Sequence, residues 1–177
     1  MSRVAIRYSK ALFELALEQN LIEDVRADLE MIQEICKTNP EFQYTLNNPL
    51  IEEKVRSKVL EELLENNVNS LTYNFLQLLS RKRRSGFLLE MIDNYLQRVL
   101  DHQGILSCLL ISSRPVETDQ TEVIKNKIEV LTGKSVIFTP QIDDSVIGGF
   151  IVKIKDTVID LSIKTQLEKM RTRLIHG

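Results

Sequence analysis

The period of the hydrophobic pattern changes once along this chain, at Gly104, and that change restricts the folds open to it. Upstream, apolar residues recur every three or four positions, the spacing of one helix face. Downstream, short apolar runs and alternating stretches take over, as strands require. The expected fold is therefore mainly α: an N-terminal six-helix bundle over 1–104, followed by a small α+β domain over 105–177. With 177 residues there is room for two such domains, each with a modest core. Six glycines and four prolines leave few breakers, which favours helix for most of the length.

The spacing predicts a first helix over 4–19. Ile22, Val25, Leu29, Ile32 and Cys36 mark a second, ended at Thr38-Asn39-Pro40 because the residue before proline is pushed out of the helical region. A short helix fits 41–46, before Asn47-Asn48-Pro49 turns the chain. Ile51, Val55, Val59 and Leu63 form the stripe of a fourth, closed by an Asn66-Asn67 turn. Helices over 71–80 and 88–100 complete the bundle, with Gly104 as the stop. Residues 105–111 then read as a buried strand, broken by Arg114-Pro115. Ile124, Ile128 and Leu131 share a helix face capped by Gly133, and Val136-Ile137-Phe138 reads as a strand. Phe150, Val152 and Ile154 alternate with Ile151, Lys153 and Lys155, and a strand over 157–161 follows a turn at Asp156. The last helix sets Ile163, Leu167, Met170 and Leu174 on one face, with Ser162 as its N-cap.

The first helix is too apolar for a single buried face. Arg3, Arg7, Lys10, Glu14 and Glu18 confine its polar side to a stripe about 80° wide at 100° per residue. Nearly everything else is apolar: Val4, Ala5, Ile6, Tyr8, Ala11, Leu12, Phe13, Leu15, Ala16 and Leu17. Two arrangements satisfy that pattern. Either the helix lies at the centre of the bundle, or one apolar side forms a groove for a partner's amphipathic helix, with Leu71, Phe75, Leu78 and Leu79 as the other wall. In the groove arrangement, Leu12→Asp is expected to weaken partner capture more than it destabilises the bundle.

Catalysis requires a nucleophile, acid or base beside a partner, or a metal, and no such constellation is legible. The two histidines, His102 and His176, sit at the end of a helix and beside the last residue. Thr132-Gly133-Lys134-Ser135 resembles the tail of a phosphate loop, but Ile128 stands where the leading glycine belongs, and the helix-to-strand context is reversed. No catalytic, cofactor or metal residues are therefore expected. Gly148-Gly149 reads as a structural pair before a strand. Cys36 and Cys108 read as reduced core thiols of a cytosolic protein. The net charge of −2, from 23 basic and 25 acidic residues, does not suggest nucleic acid, and Arg81-Lys82-Arg83-Arg84 lacks interleaved aromatics. A nucleic-acid adaptor using that run, with a KH-like second domain, remains an alternative without a GxxG loop, and a small enzyme is the other. The most apolar stretch, 105–111, is too short to span a bilayer, and no secretory or organelle leader is expected at the start. Any membrane association is expected to run through a partner.

Three stretches carry a family resemblance. Arg7-Tyr8-Ser9-Lys10-Ala11-Leu12-Phe13-Glu14-Leu15-Ala16 resembles the opening helix of the delta subunit of rotary ATP synthases, the bacterial relative of the mitochondrial oligomycin-sensitivity-conferring protein. Asn74-Phe75-Leu76-x-Leu78-Leu79 resembles that family's fifth helix. Asp143-x-Ser145-x-x-Gly148-Gly149, followed by Val158-Ile159-Asp160-x-Ser162, resembles its C-terminal signature. Leu161 stands where the family usually has glycine, and Arg84-Ser85-Gly86-Phe87 replaces its usual Gly-Arg-Leu. The resemblance implies a non-catalytic connector of the peripheral stalk, without cofactor. Its N-terminal domain would bind the N-terminal helices of the alpha subunits of the catalytic head, and its C-terminal domain the C-terminal region of the b subunits. Carried onto this chain, the head-binding surface falls on Tyr8, Ala11, Leu12, Leu15, Phe75, Leu78 and Leu79, and the structural turn on Gly148, Gly149, Asp160 and Ser162. The implied location is the cytoplasmic face of a bacterial inner membrane, held there through the complex.

Overall fold

The computed structural model describes residues 2–48, 50–64, 67–155 and 157–176; the expected turns at Pro49, Asn66 and Asp156 and the side chain of Leu63 lie outside the described residues. A mainly helical N-terminal bundle is followed by a small α+β domain, and the chain divides into compact units at Met1–Val99 and Leu100–Gly177.

The bundle is built from α1 (Arg3–Glu18), α2 (Ile22–Thr38), α3 (Pro40–Asn47), α4 (Glu53–Leu64), α5 (Ser70–Arg81) and α6 (Leu88–His102), with a 3₁₀ turn at Ser85–Phe87. Local chemistry sets several boundaries. Ser2 caps α1 by accepting from the Val4 N–H, and Asn39 ends α2 while its side chain accepts from the Phe42 N–H to start α3. Pro40 sits at the first turn of α3, where its missing N–H costs nothing. The Asp28 carboxylate of α2 accepts from the Asn69 N–H at 2.8 Å and the Thr72 hydroxyl at 2.6 Å, tying down the start of α5. Tyr95 is fully buried at the centre. Its hydroxyl donates to the Ile22 carbonyl at 3.2 Å, and its ring meets Phe13 edge-on at 5.8 Å.

Helix α4 does not bury the stripe expected of it. Val55 is 51% exposed and Val59 half-buried, while Arg56 and Leu60 are buried. The reason is a charged residue in a core slot. The Arg56 guanidinium donates to the carbonyls of Thr45 (3.3 Å), Asn48 (2.9 Å) and Ile51 (3.3 Å), so it satisfies the orphan carbonyls at the end of α3. A hydropathy stripe ranks arginine as outward-facing and so misplaces the face by about one residue.

The basic run Arg81-Lys82-Arg83-Arg84 closes α5. The Arg84 N–H donates to Leu79 O at 2.8 Å and the Arg83 N–H to Ser80 O at 2.9 Å, with Arg83 at φ +54°. That is a Schellman cap with arginine in the left-handed position that glycine usually fills.

In the second unit, β1 (Ile105–Ser112), α7 (Thr118–Thr132), β2 (Ser135–Ile142), β3 (Phe150–Ile154), β4 (Thr157–Asp160) and α8 (Ile163–His176) follow in order. The sheet runs β2-β1-β3-β4, with β1 and β2 parallel across α7 and the other pairs antiparallel. Leu106, Cys108, Leu110, Val136 and Val152 meet Ile124 and Ile128 of α7 in its core. Cys36 and Cys108 are free and buried in their separate cores, and burial pushes both thiols up. Leu131 is 83% exposed although it shares a helix face with Ile124 and Ile128, so the expected three-residue stripe packs over only two.

Strand β2 extends through Pro140, beyond the expected Val136-Ile137-Phe138. Glu129 Oε1 accepts the Val136 N–H at 2.8 Å, which puts the N–H groups of alternate residues on the side away from β1. Pro140 falls in that phase, so its missing N–H costs no ladder bond and instead blocks strand addition at this edge.

Two substitutions check this local chemistry by urea denaturation of the whole chain. Arg56→Met should lower stability by about 2 kcal/mol, because it strands buried carbonyls. Arg83→Gly should raise it by about 1 kcal/mol, because glycine enters the left-handed region without a Cβ clash.

Candidate partner-binding surfaces

Helix α1 packs against the bundle through Ala5, Ser9, Leu12 and Ala16, all buried. On one flank of that face, Tyr8, Ala11 and Leu15 meet Leu71, Phe75 and Leu78 of α5 across an open groove of about 290 Å³. Leu12 and Phe75 form its floor, at 2% and 8% exposure, and Leu15 and Leu78 form its lips, at 44% and 42%. Arg7 stands at the rim, its guanidinium 5.7 Å from the centre of the Tyr8 ring, a cation–π distance.

Six of the seven residues expected on this surface therefore come together: Tyr8, Ala11, Leu12, Leu15, Phe75 and Leu78. Leu79 does not join them. It is 1% exposed in the bundle core, because a helix turns 100° between neighbours and carries Leu79 inward where Leu78 points out. Leu12, too, is a core residue as much as a groove residue. Leu12→Asp would bury a carboxylate in an apolar core, so its effect on partner capture is not separable from a loss of bundle stability. Arg7 and Asn74 also line the groove and were not expected there. Arg7 reads as part of the polar stripe, and only the motif containing Asn74-Phe75 points to the other.

In the second unit, α7 covers the β1–β2 half of one sheet face. Strands stand about 4.8 Å apart and a helix with side chains is about 10 Å across, so one helix covers roughly half of a four-stranded face. The uncovered half is a groove of about 830 Å³, lined by Val116, Val123 and Ile128 on one side and Phe150, Ile159 and Leu161 on the other. No strand pattern announces it, because it results from one helix being set over four strands. Helix α8 adds a second unpartnered face. Ile163, Leu167, Met170 and Leu174 share one side, and they are between 49% and 87% exposed.

Gly148, Gly149, Asp160 and Ser162 do converge, at the turn where α8 leaves the sheet. Gly149 has φ +74°, and a Cβ there would stand 2.5 Å from the Leu161 carbonyl oxygen. The Ile163 N–H donates to Gly148 O at 2.9 Å. Asp160 accepts from the Ser162 N–H and the Thr165 hydroxyl, each at 2.8 Å, and the Ser162 hydroxyl accepts from the Thr165 N–H at 3.3 Å as an N-cap. Hydrogen bonds from Ser162, then Thr165, hold the Asp160 carboxyl below the usual carboxylate range. The stretch resembling a phosphate loop is a helix cap: Gly133, at φ +66°, ends α7 with its N–H on Glu129 O. Among the described residues, no three His, Cys, Asp or Glu side chains are grouped to hold a metal.

A helical bundle joined to a small mixed sheet domain, each with an open apolar groove, has the architecture of an adaptor. Comparison with known proteins makes the class specific. The family model for the ATP synthase delta (OSCP) subunit matches residues 4–174. ATP synthase subunit delta of Chlorobaculum tepidum is 36% identical over 96% of this chain and 93% of its own length. The subunit of Carboxydothermus hydrogenoformans is 34% identical over 98% and 97%. In fold, the chain is similar to one in the cryo-electron-microscopy structure of the Toxoplasma gondii mitochondrial ATP synthase hexamer, at 22% identity, with a TM-score of 0.75 and 99% of each chain covered. This chain belongs to the delta (OSCP) subunit family of rotary ATP synthases, whose members are non-catalytic connectors of the peripheral stalk.

The α8 turn can be tested by substitution. Gly149→Ala should destabilise the C-terminal unit by at least ~1 kcal/mol, since alanine is strained at positive φ and here also meets backbone. Because the Asp160 pKa is depressed in the folded state, its contribution is present above the unfolded carboxyl pKa and lost as pH falls through the folded one. The gap in melting temperature between the wild type and Asp160→Ala should be full at neutral pH and narrow below about pH 4.

Proposed function

We propose that the α1–α5 groove takes an amphipathic helix from the N-terminus of an alpha subunit of the catalytic head, and that the C-terminal unit takes the C-terminal region of the stator's b subunits. The chain then keeps the head from turning with the rotor. In this reading 1–104 serves the head and 105–177 the stalk. Its place is the cytoplasmic face of a bacterial inner membrane, held through the complex. No helix among the described residues is long and apolar enough to cross a membrane.

The observation that carries the reading is the exposure of Leu15 and Leu78 on the two walls of one apolar groove. Full burial of a large apolar side chain contributes about 1.5–3 kcal/mol, so covering the exposed part of Leu15 or Leu78, a little over two fifths of each, contributes about 1 kcal/mol, and several such contacts are needed to offset the cost of association. Tyr8, Ala11, Leu15 and Leu78 supply accessible contact surface, while Leu12 and Phe75 shape the floor. At the stalk side, the half-covered sheet face leaves room for one more helix beside α7, and α8 offers a further apolar face. Holding two partners at once slows loss of either, because release at one site leaves the other attached and rebinding is local. No bound cofactor and no nucleic acid enter this reading.

Leu15→Asp combined with Leu78→Asp should reduce capture of the alpha subunits from detergent-solubilised membranes at least tenfold, with a melting temperature close to that of the wild type and b capture intact. Leu12→Asp should instead lower the melting temperature of the bundle itself. Undiminished alpha capture by the Leu15/Leu78 double variant would remove the groove from the interface.

A further inference from the structure

Helix α8 has a narrower apolar seam than an ordinary surface helix. Ile163, Leu167, Met170 and Leu174 are spaced four, three and four residues apart, the d-a-d-a register of two heptads. A stripe confined to those two positions is a coiled-coil seam rather than the broad face of a helix lying on a core. Beyond Ile163, which is half exposed beside Gly148, the seam is largely open to solvent among the described residues. It starts two residues after Leu161, which lines the groove beside α7.

The residues flanking the seam specify the partner. In this register Gln166 and Arg173 occupy the g positions, and on the opposite flank Lys164 and Arg171 both occupy e positions, seven residues apart. Both cations are exposed, and neither has an ion-pair partner among the described residues. The Gln166 side chain is turned back to donate to the Leu161 carbonyl at 3.2 Å. Glu168, the acidic residue of this helix, stands at b, away from the seam. Flanking charges in a coiled coil set partner choice. A second copy of this chain is a poor partner: antiparallel pairing sets Lys164 against Arg171, and parallel pairing offers Arg171 only the occupied amide of Gln166.

We propose that α8 is one strand of a heterotypic coiled coil. Its partner is an amphipathic helix with its own a/d seam and with carboxylates seven residues apart on the flank that meets Lys164 and Arg171. The inference rests on the stalk-end reading and adds to it the chemistry of the stalk segment that α8 accepts. A basic amphipathic helix also fits an anionic bilayer surface, but such helices present a wide apolar face with aromatic anchors, and α8 keeps its apolar residues at a and d, save Ile175 at b in the last turn, and has no Phe, Tyr or Trp.

The test uses the full chain, fluorescently labelled, with three probes. These are a 21-residue helical peptide with leucine at a and d and glutamate at e and g, the same peptide with lysine at e and g, and vesicles of phosphatidylserine and phosphatidylcholine. The chain should bind the glutamate peptide about tenfold or more tightly than the lysine peptide, and 0.5 M salt should erode the difference. K164E/R171E should reverse the preference, Leu167→Asp should abolish binding of both peptides, and the free chain should sediment as a monomer. Equal binding of the two peptides, self-association through α8, or binding to the vesicles in place of the peptides would overturn the proposal. Capture of b subunits from the solubilised complex separates it from the reading beneath it. Undiminished capture by K164E/R171E overturns the coiled coil alone, whereas no capture by the wild type overturns both.

Discussion

Helix α1 carries more apolar surface than its own bundle can bury. Ala5, Ser9, Leu12 and Ala16 fill the side turned to the core, and the small residues among them let α1 approach closely. That leaves Leu15 and its neighbours on a flank for which the chain has no cover, and α5 faces them with Leu71, Phe75 and Leu78. Leaving the exposed part of such half-covered residues in water forgoes about 1 kcal/mol apiece, which an interface recovers on binding. Around this helix the rest of the bundle is arranged for rigidity. Tyr95 is held at the centre by the Ile22 carbonyl, Asp28 fixes the start of α5, and Arg56 joins α3 to α4. Of the two groove walls, α5 is held by Asp28 and α1 by the edge-on contact of Phe13 with Tyr95.

The C-terminal unit repeats the same physical situation by different means. Its sheet has one covering helix where four strands have room for two, and its last helix displays an apolar seam to solvent. The direction of that helix is set by a turn that tolerates little variation: Gly149 packs its backbone against Leu161 and Ser162, and Asp160 holds both Ser162 and Thr165. The Leu161 N–H donates to Phe150 O at 3.0 Å, so the turn forms with a large side chain at this position. That side chain becomes part of the groove wall. Pro140 and Glu129 meanwhile close the β2 edge to strand addition.

Much of this fold was legible in the sequence because it follows from local rules. The change of period at Gly104 separates the helical region from the mixed one, and Asn39-Pro40, Ser162 and Gly133 act as caps where capping residues are expected. The groove was legible as one of two readings of α1, since a polar stripe of about 80° leaves two sides to account for. What escaped is tertiary. Arg56 enters the core because the carbonyls ending α3 are within its reach, which no stripe of hydropathy reveals. Leu131 shares the face of Ile124 and Ile128 and is nevertheless exposed, because periodicity gives direction and not depth. For the same reason Leu12 and Leu79 could be assigned to a face, but not distinguished as floor and core. The larger groove beside α7 has no sequence signature, since it is defined by what the sheet lacks.

Hydrogen exchange on the full chain, alone and with the purified catalytic head of its own complex, tests the central claim most directly. Slowed exchange confined to α1 and α5 in the presence of the head, with the second unit unchanged until b subunits are added, is the expected result. Head binding that leaves α1 and α5 unprotected and slows exchange elsewhere would contradict it.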